Sequence, residues 1–110
     1  ENECNINWKN SGFSGMNRTS FVKSCENNHD QLVELFLNLD HLNINTTGLD
    51  HQSAFLLSSA NGNLSIVKLL LDDPRCDVTM LDDCGWSSFM WSAFSGRSDV
   101  IKYLIAYDQI

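Results

Sequence analysis

The sequence has few positively charged residues. Its 110 residues include seven Lys and Arg against fourteen Asp and Glu, which gives a formal net charge of −7 at pH 7. Proteins use clustered Lys and Arg to neutralise nucleic-acid phosphates and to bind anionic membrane surfaces. We therefore expect no nucleic acid and no membrane as partners, whereas a neutral or basic protein partner is compatible with this charge.

The patterns that mark membrane spans, metal sites and enzymes are also missing. No apolar run approaches the about 20 residues that a membrane-spanning helix needs. The four cysteines include no C-x-x-C pair, and the three histidines do not complete a zinc-binding spacing. No Ser, His and acid are placed to act together, and no glycine-rich loop precedes a helix to hold phosphate. We therefore predict no enzymatic activity, no cofactor, no metal and no small-molecule substrate.

What the sequence does contain is a repeated apolar segment. Residues 62–71, Gly-Asn-Leu-Ser-Ile-Val-Lys-Leu-Leu-Leu, have apolar side chains over more than half of a helical wheel. The positions 34 residues before and after are apolar as well, in Leu32, Val33, Leu35, Phe36 and Leu37, and in Val100, Ile101, Tyr103, Leu104 and Ile105. A helix this apolar must be covered on two sides, so residues 62–71 are predicted to form the central helix of a stack.

The same register holds outside this helix. Phe21, Phe55 and Phe89 align, as do three serines at 24, 58 and 92. A fixed period with a helix–turn–helix unit indicates a solenoid, in which each unit buries its apolar face on its neighbours. We expect helices near Thr19–Asn27, Asp30–Asn38, Ser53–Ala60, Leu64–Asp72, Ser87–Ser95 and Ser98–Tyr107, with N-caps at Thr19, Ser53 and Ser87 and left-handed helix ends at Asn28, Gly62 and Gly96. The polar connections 39–52 and 73–86 each contain one apolar residue, Ile44 or Val78, and are expected to project as hairpin-like loops.

The cysteines bear on the cellular compartment. Cys25 takes the place of a small residue inside a repeated helix, and we interpret all four cysteines as reduced thiols. Reduced cysteines are typical of proteins inside the cell, so the expected location is the cytoplasm or the nucleus. Because the chain begins inside a repeat-like element, we also expect it to be a piece of a larger protein.

The motifs resemble those of the ankyrin repeat family. Residues 85–96, Gly-Trp-Ser-Ser-Phe-Met-Trp-Ser-Ala-Phe-Ser-Gly, are similar to the family's G-x-T-P-L-H-x-A-A-x-x-G, residues 100–105 to its V-V-x-L-L-L, and residues 77–82 to its D-V-N-x-x-D. The tetratricopeptide repeat has the same period of 34, but its Trp, Leu-Gly, Tyr and Pro signature is absent. The family's Thr-Pro is never intact, and its histidine is replaced by Val22, Leu56 and Met90, so we expect modest stability.

The resemblance implies a mostly α fold, an ankyrin-repeat solenoid of three helix–turn–helix repeats with hairpin-like connecting loops. Its segments would be a lead-in loop at 1–16 with the remnant of a preceding repeat, then repeats at 17–50, 51–84 and 85–110. First helices and loop tips would form a concave face that binds proteins. The variable positions of that face, carried over to this sequence, are Met16, Arg18, Leu49, Asp50, Gln52, Asp83, Cys84 and Trp86 on the loops, and Glu26, Asn27, Ala60, Asn61, Phe94 and Ser95 on the helices.

Two interpretations stay open for the apolar residues of this face. Trp86 and Phe94 are either an anchor for a partner or a surface that packs on another repeat or on the adjacent loop. Trp91 is expected in the core or between repeats. The acidic residues around 72–83 either steer a basic partner or form a solvated edge. The leading function is a protein-binding module, and the alternative is a structural spacer that stacks on flanking repeats or on an attached domain of a larger protein.

Overall fold

The computed structural model describes residues 13–40 and 42–108, with the backbone alone for residues 13–19 and for Leu49. In this part of the chain there are six α-helices, α1 (Phe13–Glu26), α2 (Asp30–Leu37), α3 (Ala54–Asn61), α4 (Leu64–Asp72), α5 (Ser88–Phe94) and α6 (Ser98–Asp108), and one 3₁₀ turn at Leu49–His51. Within the same residues, β-structure is limited to one isolated bridge between Thr47 and Ser53.

The helices form two rows. Short turns join α1 to α2, α3 to α4 and α5 to α6, and the two helices of each pair pack on each other. Across the pairs, α3 packs between α1 and α5, while α4 packs between α2 and α6. The predicted solenoid of three helix–turn–helix repeats is therefore confirmed.

The central position of α4 explains its apolar sequence. Ile66, Val67 and Leu70 have no exposed surface, because the neighbouring pairs cover the helix on both sides. In the first repeat, Phe21 of α1 meets Phe36 of α2 edge to face, with the ring centroids 6.0 Å apart. Burying side chains of this size contributes about 1.5–3 kcal/mol each, so the stack depends mainly on these contacts.

The first helix of each pair ends in the same backbone conformation. Asn28, Gly62 and Gly96 have φ values of 63°, 75° and 72°, in the left-handed region that glycine and asparagine adopt most easily. The Ser53 and Ser87 hydroxyls accept hydrogen bonds from the backbone N–H groups three residues later, at 3.2 and 3.1 Å. These N-caps and helix ends agree with the sequence prediction.

The start of the first helix differs from the prediction. Helix α1 has 14 residues and begins at Phe13, so Thr19 lies inside it and is not an N-cap. The predicted lead-in loop is thus wrong for residues 13–16, and its remainder lies outside the described residues, as does the predicted remnant at Asn5–Asn7. The segment 13–26 contains no proline, and the single Gly15 costs only about 1 kcal/mol relative to alanine, which the rest of a long helix offsets.

The connections between repeats are closed like small hairpins. Gly48 donates its backbone N–H to the Gln52 carbonyl at 3.0 Å, and 34 residues later Asp82 donates to the Trp86 carbonyl at 3.0 Å. The side-chain amide of Asn45 joins the two connections, since its nitrogen donates to the Arg75 carbonyl at 2.9 Å and its oxygen accepts from the Asp77 backbone at 2.7 Å. The hairpin-like loops are therefore confirmed, and they stack along with the helices.

Polar side chains also tie each repeat to the one before it. The Asn63 amide donates to the Cys25 carbonyl at 2.9 Å, and Arg97, at the same register position, donates to the Ala60 carbonyl at 2.9 Å. Ser92 donates its hydroxyl to the Ser59 carbonyl at 3.2 Å. Each bond satisfies a carbonyl near the end of the preceding first helix, where intrahelical partners run out. Successive repeats are thus linked although the family's histidine is absent.

Arg75 forms a similar tie between the loop after α4 and the end of α2. Its guanidinium donates to the Leu37 and Leu39 carbonyls, both at 2.8 Å, and holds both carboxylate oxygens of Asp73 at 2.9 and 2.7 Å. The hydrogen bonds from the Arg75 side chain to Asp73 hold the pKa of the Asp73 carboxyl below its usual value. The planar fork of arginine serves four acceptors at once, which the single ammonium of lysine cannot reproduce.

Replacing Arg75 with Ala is expected to lower the free energy of unfolding by about 1–3 kcal/mol, because two carbonyls and the Asp73 carboxylate lose a charged donor. Arg75→Lys should recover only part of this loss. Chemical denaturation followed by circular dichroism measures both values. Lys102→Ala on α6 is the control, since that side chain is exposed. A change for Arg75→Ala within about 0.5 kcal/mol of zero would contradict the assignment.

Candidate functional site

Three aromatic side chains meet at the surface of the third repeat. Trp86, Trp91 and Phe94 have ring centroids 4.9, 5.4 and 5.8 Å apart, at angles between tilted and perpendicular. Both tryptophans are half-buried, but Phe94 is 71% exposed. We call these three residues the aromatic cluster. Edge-to-face contacts of this kind favour one arrangement of the rings, so the cluster is an ordered apolar surface.

The local sequence explains why these rings come together. Trp91 and Phe94 lie three residues apart on α5, so they share one side of the helix. Trp86 is placed by the loop that precedes α5, in which Gly85 takes a φ of 81°. Trp86 and Phe94, which the sequence assigns to the same face, are therefore in contact with each other.

Asp82 holds the cluster in place. One carboxylate oxygen accepts the Trp91 indole N–H at 2.7 Å, and the other accepts the backbone N–H groups of Cys84 and Trp86, both at 2.9 Å. Only 8% of the Asp82 residue is exposed. The hydrogen bond from Trp91, followed by those from the backbone, lowers the pKa of Asp82 below its ordinary value of 3.8. The carboxylate thus fixes both tryptophans through its charged form.

Asp82 and Trp91 are the members of the site that sequence reasoning did not assign to it. The sequence predicts Trp91 in the core or between repeats, whereas its ring lies half-buried in the surface cluster. The reason is the indole N–H, because a buried indole N–H needs a hydrogen-bond acceptor. For Trp91 the acceptor is the Asp82 carboxylate, on the loop that precedes α5. Aromatic residues at 86, 91 and 94 beside an aspartate were the available signal.

The tips of the two hairpin-like loops lie side by side. The backbone N–H of Asp83 donates to the Asp50 carbonyl at 3.0 Å, and both residues are exposed. Asp50 and His51 take left-handed conformations with φ values of 58° and 60°, and His51 holds the register position of Gly85. Two acidic residues are therefore brought together on adjacent loop tips, and the second of these loops leads to the aromatic cluster.

The predicted site residues at the helix ends lie at equivalent positions in successive repeats. Glu26, Ala60 and Phe94 hold equivalent positions near the ends of α1, α3 and α5. The Asn61 side-chain amide links α3 to α1, because it donates to the Glu26 carbonyl at 3.2 Å. The 3.5 Å ion pair of Glu26 with Lys23 is exposed and contributes little. The other members differ in exposure: Asn27 and Cys84 are exposed, whereas Gln52 and Ser95 are half-buried.

For three predicted positions, the structure shows no side chain in the site. Met16 and Arg18 were assigned to a loop tip, but both lie within α1, so that placement is wrong for the reason given for the start of this helix. Leu49 lies in the 3₁₀ turn at the first loop tip, where the structure describes its backbone only. The described site is therefore centred on the third repeat and the two loop tips.

The acidic residues around 72–83 do not form one continuous cluster. Asp73 is paired with Arg75, and Asp77 accepts hydrogen bonds from the Thr79 backbone and hydroxyl at 3.0 and 2.6 Å. In residues 13–40 and 42–108, no three His, Cys, Asp or Glu side chains are grouped to hold a metal ion. No helix in this part of the chain has the length and apolar character that crossing a membrane requires.

Stacked helix pairs with projecting loops define a helical repeat protein, and comparisons with known proteins specify which kind. The family model described as ankyrin repeats (3 copies) matches residues 21–110. The chain therefore belongs to the ankyrin repeat family, as the sequence motifs predicted.

Several curated proteins are similar over most of the chain. The human Notch-regulated ankyrin repeat-containing protein is 35% identical over 80 residues, which cover 71% of this chain and 69% of the human protein. The zebrafish (Danio rerio) Notch-regulated ankyrin repeat-containing protein A is also 35% identical, over 71% of this chain and 70% of its own length. Mouse ankyrin repeat and SAM domain-containing protein 6 is 28% identical over 68% of this chain but only 8% of its own length.

Replacing Asp82 with Asn is expected to loosen the aromatic cluster, because its amide nitrogen would face a donor in either orientation: the Trp91 indole N–H, or the backbone N–H groups of Cys84 and Trp86. The lowered pKa means that the stabilisation by Asp82 is present above the ordinary pKa of 3.8 and is lost as the pH falls through the lower folded value. Tryptophan emission and near-ultraviolet circular dichroism should therefore report an acid transition that Asp82→Asn removes.

The control for this prediction is Asp83→Asn, which changes the same charge at the exposed neighbouring residue. Its acid titration should match that of the unmodified protein. If the Asp82→Asn titration also matched it, Asp82 would not be the residue that holds the cluster.

Proposed function

We propose that this chain is a protein-binding module that takes a basic segment of a partner on the aromatic cluster and the acidic loop tips. Ankyrin repeats generally act in protein–protein interactions, and the chain belongs to that family. The observation that carries the proposal is Phe94, a large apolar side chain that is 71% exposed while its ring contacts two ordered tryptophans. The proposed contact surface extends along the helix ends at Glu26, Asn27, Ala60, Asn61 and Ser95 and the tips at Leu49, Gln52 and Cys84.

The order of the cluster favours binding. Immobilising flexible side chains on association costs free energy, and rings that are already held by each other and by Asp82 avoid most of that cost. Exposed aromatic residues that become fully covered dominate the affinity of many interfaces. Phe94 would therefore act as the anchor, with Trp86 and Trp91 as its support.

The charge of the loop tips selects the partner. Asp50 and Asp83 are exposed on adjacent tips, and the chain as a whole has a formal charge of −7. Opposite charge on the partner would speed association and exclude acidic competitors. A Lys or Arg side chain of the partner could also lie over an exposed aromatic face, which adds about 0.5–1 kcal/mol at such sites.

The cysteines support the cellular setting that we propose. Cys25, Cys76 and Cys84 are free thiols, and burial raises the pKa values of Cys25 and Cys76 to about 12, which makes both thiols unreactive. We place the proposed binding in the cytoplasm or the nucleus on this ground. The human and zebrafish relatives are named as regulated by Notch. Their names give no partner, so the proposal depends on the site itself.

A peptide-display screen against this protein tests the proposal. Trp8→Phe serves as the background, because Trp86 and Trp91 are then the remaining tryptophans and both report from the cluster. Selected peptides are expected to be rich in Lys and Arg, to shift tryptophan emission and to bind more weakly as salt is raised, since salt screens the exposed charges.

In this background, Phe94→Ala should weaken binding of the selected peptides roughly 30-fold, which is about 2 kcal/mol. Phe89→Ala is the matched control, because Phe89 is an exposed phenylalanine of the same helix outside the cluster. Equal affinity of the Phe94→Ala variant and the control would overturn the assignment of the site. It would favour the alternative, a structural spacer, for which the exposed apolar side chains at the ends of the stack are the supporting observation.

A further inference from the structure

Two exposed apolar side chains of the third repeat hold positions that are buried in the second repeat. Phe89 is 45% exposed, whereas Phe21 and Phe55, at the same register position, are 0% and 3% exposed. Ile105 is likewise 45% exposed, whereas its equivalent Leu71 is buried. These two residues form what we call the rear face, the side of α5 and α6 that points away from the second repeat.

The first repeat shows the opposite pattern. Leu32 is 46% exposed, whereas Ile66 and Val100, its equivalents in α4 and α6, have no exposed surface. Leu35, one turn further along α2, is 65% exposed. Leu32 and Leu35 form what we call the front face. In each repeat, the residue equivalent to Leu32 thus faces the preceding repeat, and the residue equivalent to Phe21 faces the following repeat. We call these two sites position 32 and position 21.

The rear face also has a concave shape. A groove of about 430 Å³ opens there, and Phe55 and Leu71 of the second repeat line it together with Val78, Phe89 and Ile105. Val78 is exposed, although Ile44, its equivalent in the first loop, is buried. The groove therefore exposes three positions, those of Val78, Phe89 and Ile105, that are buried one repeat earlier in the stack.

We propose that the rear face of one copy of this chain binds the front face of a second copy, head to tail. The chain contains the template for this contact twice, since consecutive helix pairs pack at both internal junctions. Position 21 of the earlier repeat and position 32 of the later one are buried at each junction, as Phe21 with Ile66 and as Phe55 with Val100. The front face also carries a polar partner for the junction, because His29 is exposed at the register position of Asn63 and Arg97. Those two residues donate to carbonyls of the preceding first helix.

The contact is heterologous, so it leaves one free front face and one free rear face on every assembly. Association should therefore continue beyond a dimer as the concentration rises. The formal charge of −7 on each copy opposes association at long range. Raising the salt concentration screens this repulsion and should strengthen self-association, whereas it weakens binding of a basic peptide at the aromatic cluster.

Two blocked variants test the proposal. Leu32→Glu places a charge on the front face and Ile105→Glu places one on the rear face, both at half-exposed positions. Each variant alone should show an association constant at least about tenfold below that of the unmodified protein in sedimentation velocity. Ser65→Glu is the control for the added charge, since Ser65 is exposed on α4 of the middle repeat, and it should associate like the unmodified protein.

The decisive measurement is the mixture of the two blocked variants. The free rear face of Leu32→Glu should bind the free front face of Ile105→Glu, giving a one-to-one heterodimer that does not grow further. A monomeric unmodified protein would overturn the proposal, as would a mixture without heterodimer or a Leu32→Glu variant that dimerises alone through two rear faces. Thermal melts of each variant ensure that only folded protein is compared, and Leu35→Glu and Phe89→Glu are the second pair should either fail to fold.

Peptide binding at the aromatic cluster provides an independent readout. Ile105→Glu and Leu32→Glu should bind the selected peptides with unchanged affinity, because neither residue lies in the cluster. A protein that binds peptide but stays monomeric would refute the self-association alone, and one that associates but binds no peptide would refute the proposed function alone.

Discussion

The structure depends on one constraint: no helix pair of this chain buries its apolar side chains by itself. Two short helices can cover only the sides that they turn to each other, so the remaining apolar surface needs the next pair. Helix α4 shows the result, because Ile66, Val67 and Leu70 have no exposed surface in the middle of the stack. Stability is therefore a property of the junctions between repeats, and the two outermost faces carry the apolar surface that has no further junction within the described chain.

The hydrogen bonds between repeats also result from stacking. Stacking brings the end of each first helix beside the start of the next second helix, and side chains there complete the hydrogen bonds of the earlier helix. Asn63 and Arg97 use different chemical groups for this purpose at one register position. The loops stack in the same order, which brings Asp83 against Asp50. The candidate site combines both effects, since it joins a loop tip to the end of α5.

The periodicity of the sequence predicted the architecture well, and individual side chains less well. Left-handed ends at Asn28, Gly62 and Gly96 could be predicted because few residues adopt that conformation. The start of α1 could not, since a single glycine is a weak signal against a helix, and the rest of a long helix offsets its cost. The sequence assigned Trp86 and Phe94 to one face but did not predict their contact, and the place of Trp91 depended on an acceptor nine residues away, at Asp82.

By itself, the sequence determined the period, the helix ends and the family, because these depend on local backbone preferences and on apolar spacing. Only the tertiary structure decided which apolar residues remain at the surface. Phe21, Phe55 and Phe89 are identical in sequence and register, yet only Phe89 is exposed. The difference lies in the neighbour that each residue meets, and exposure is a property of position in the stack. The same holds for the aromatic cluster, whose order comes from a carboxylate that folding brings beneath it.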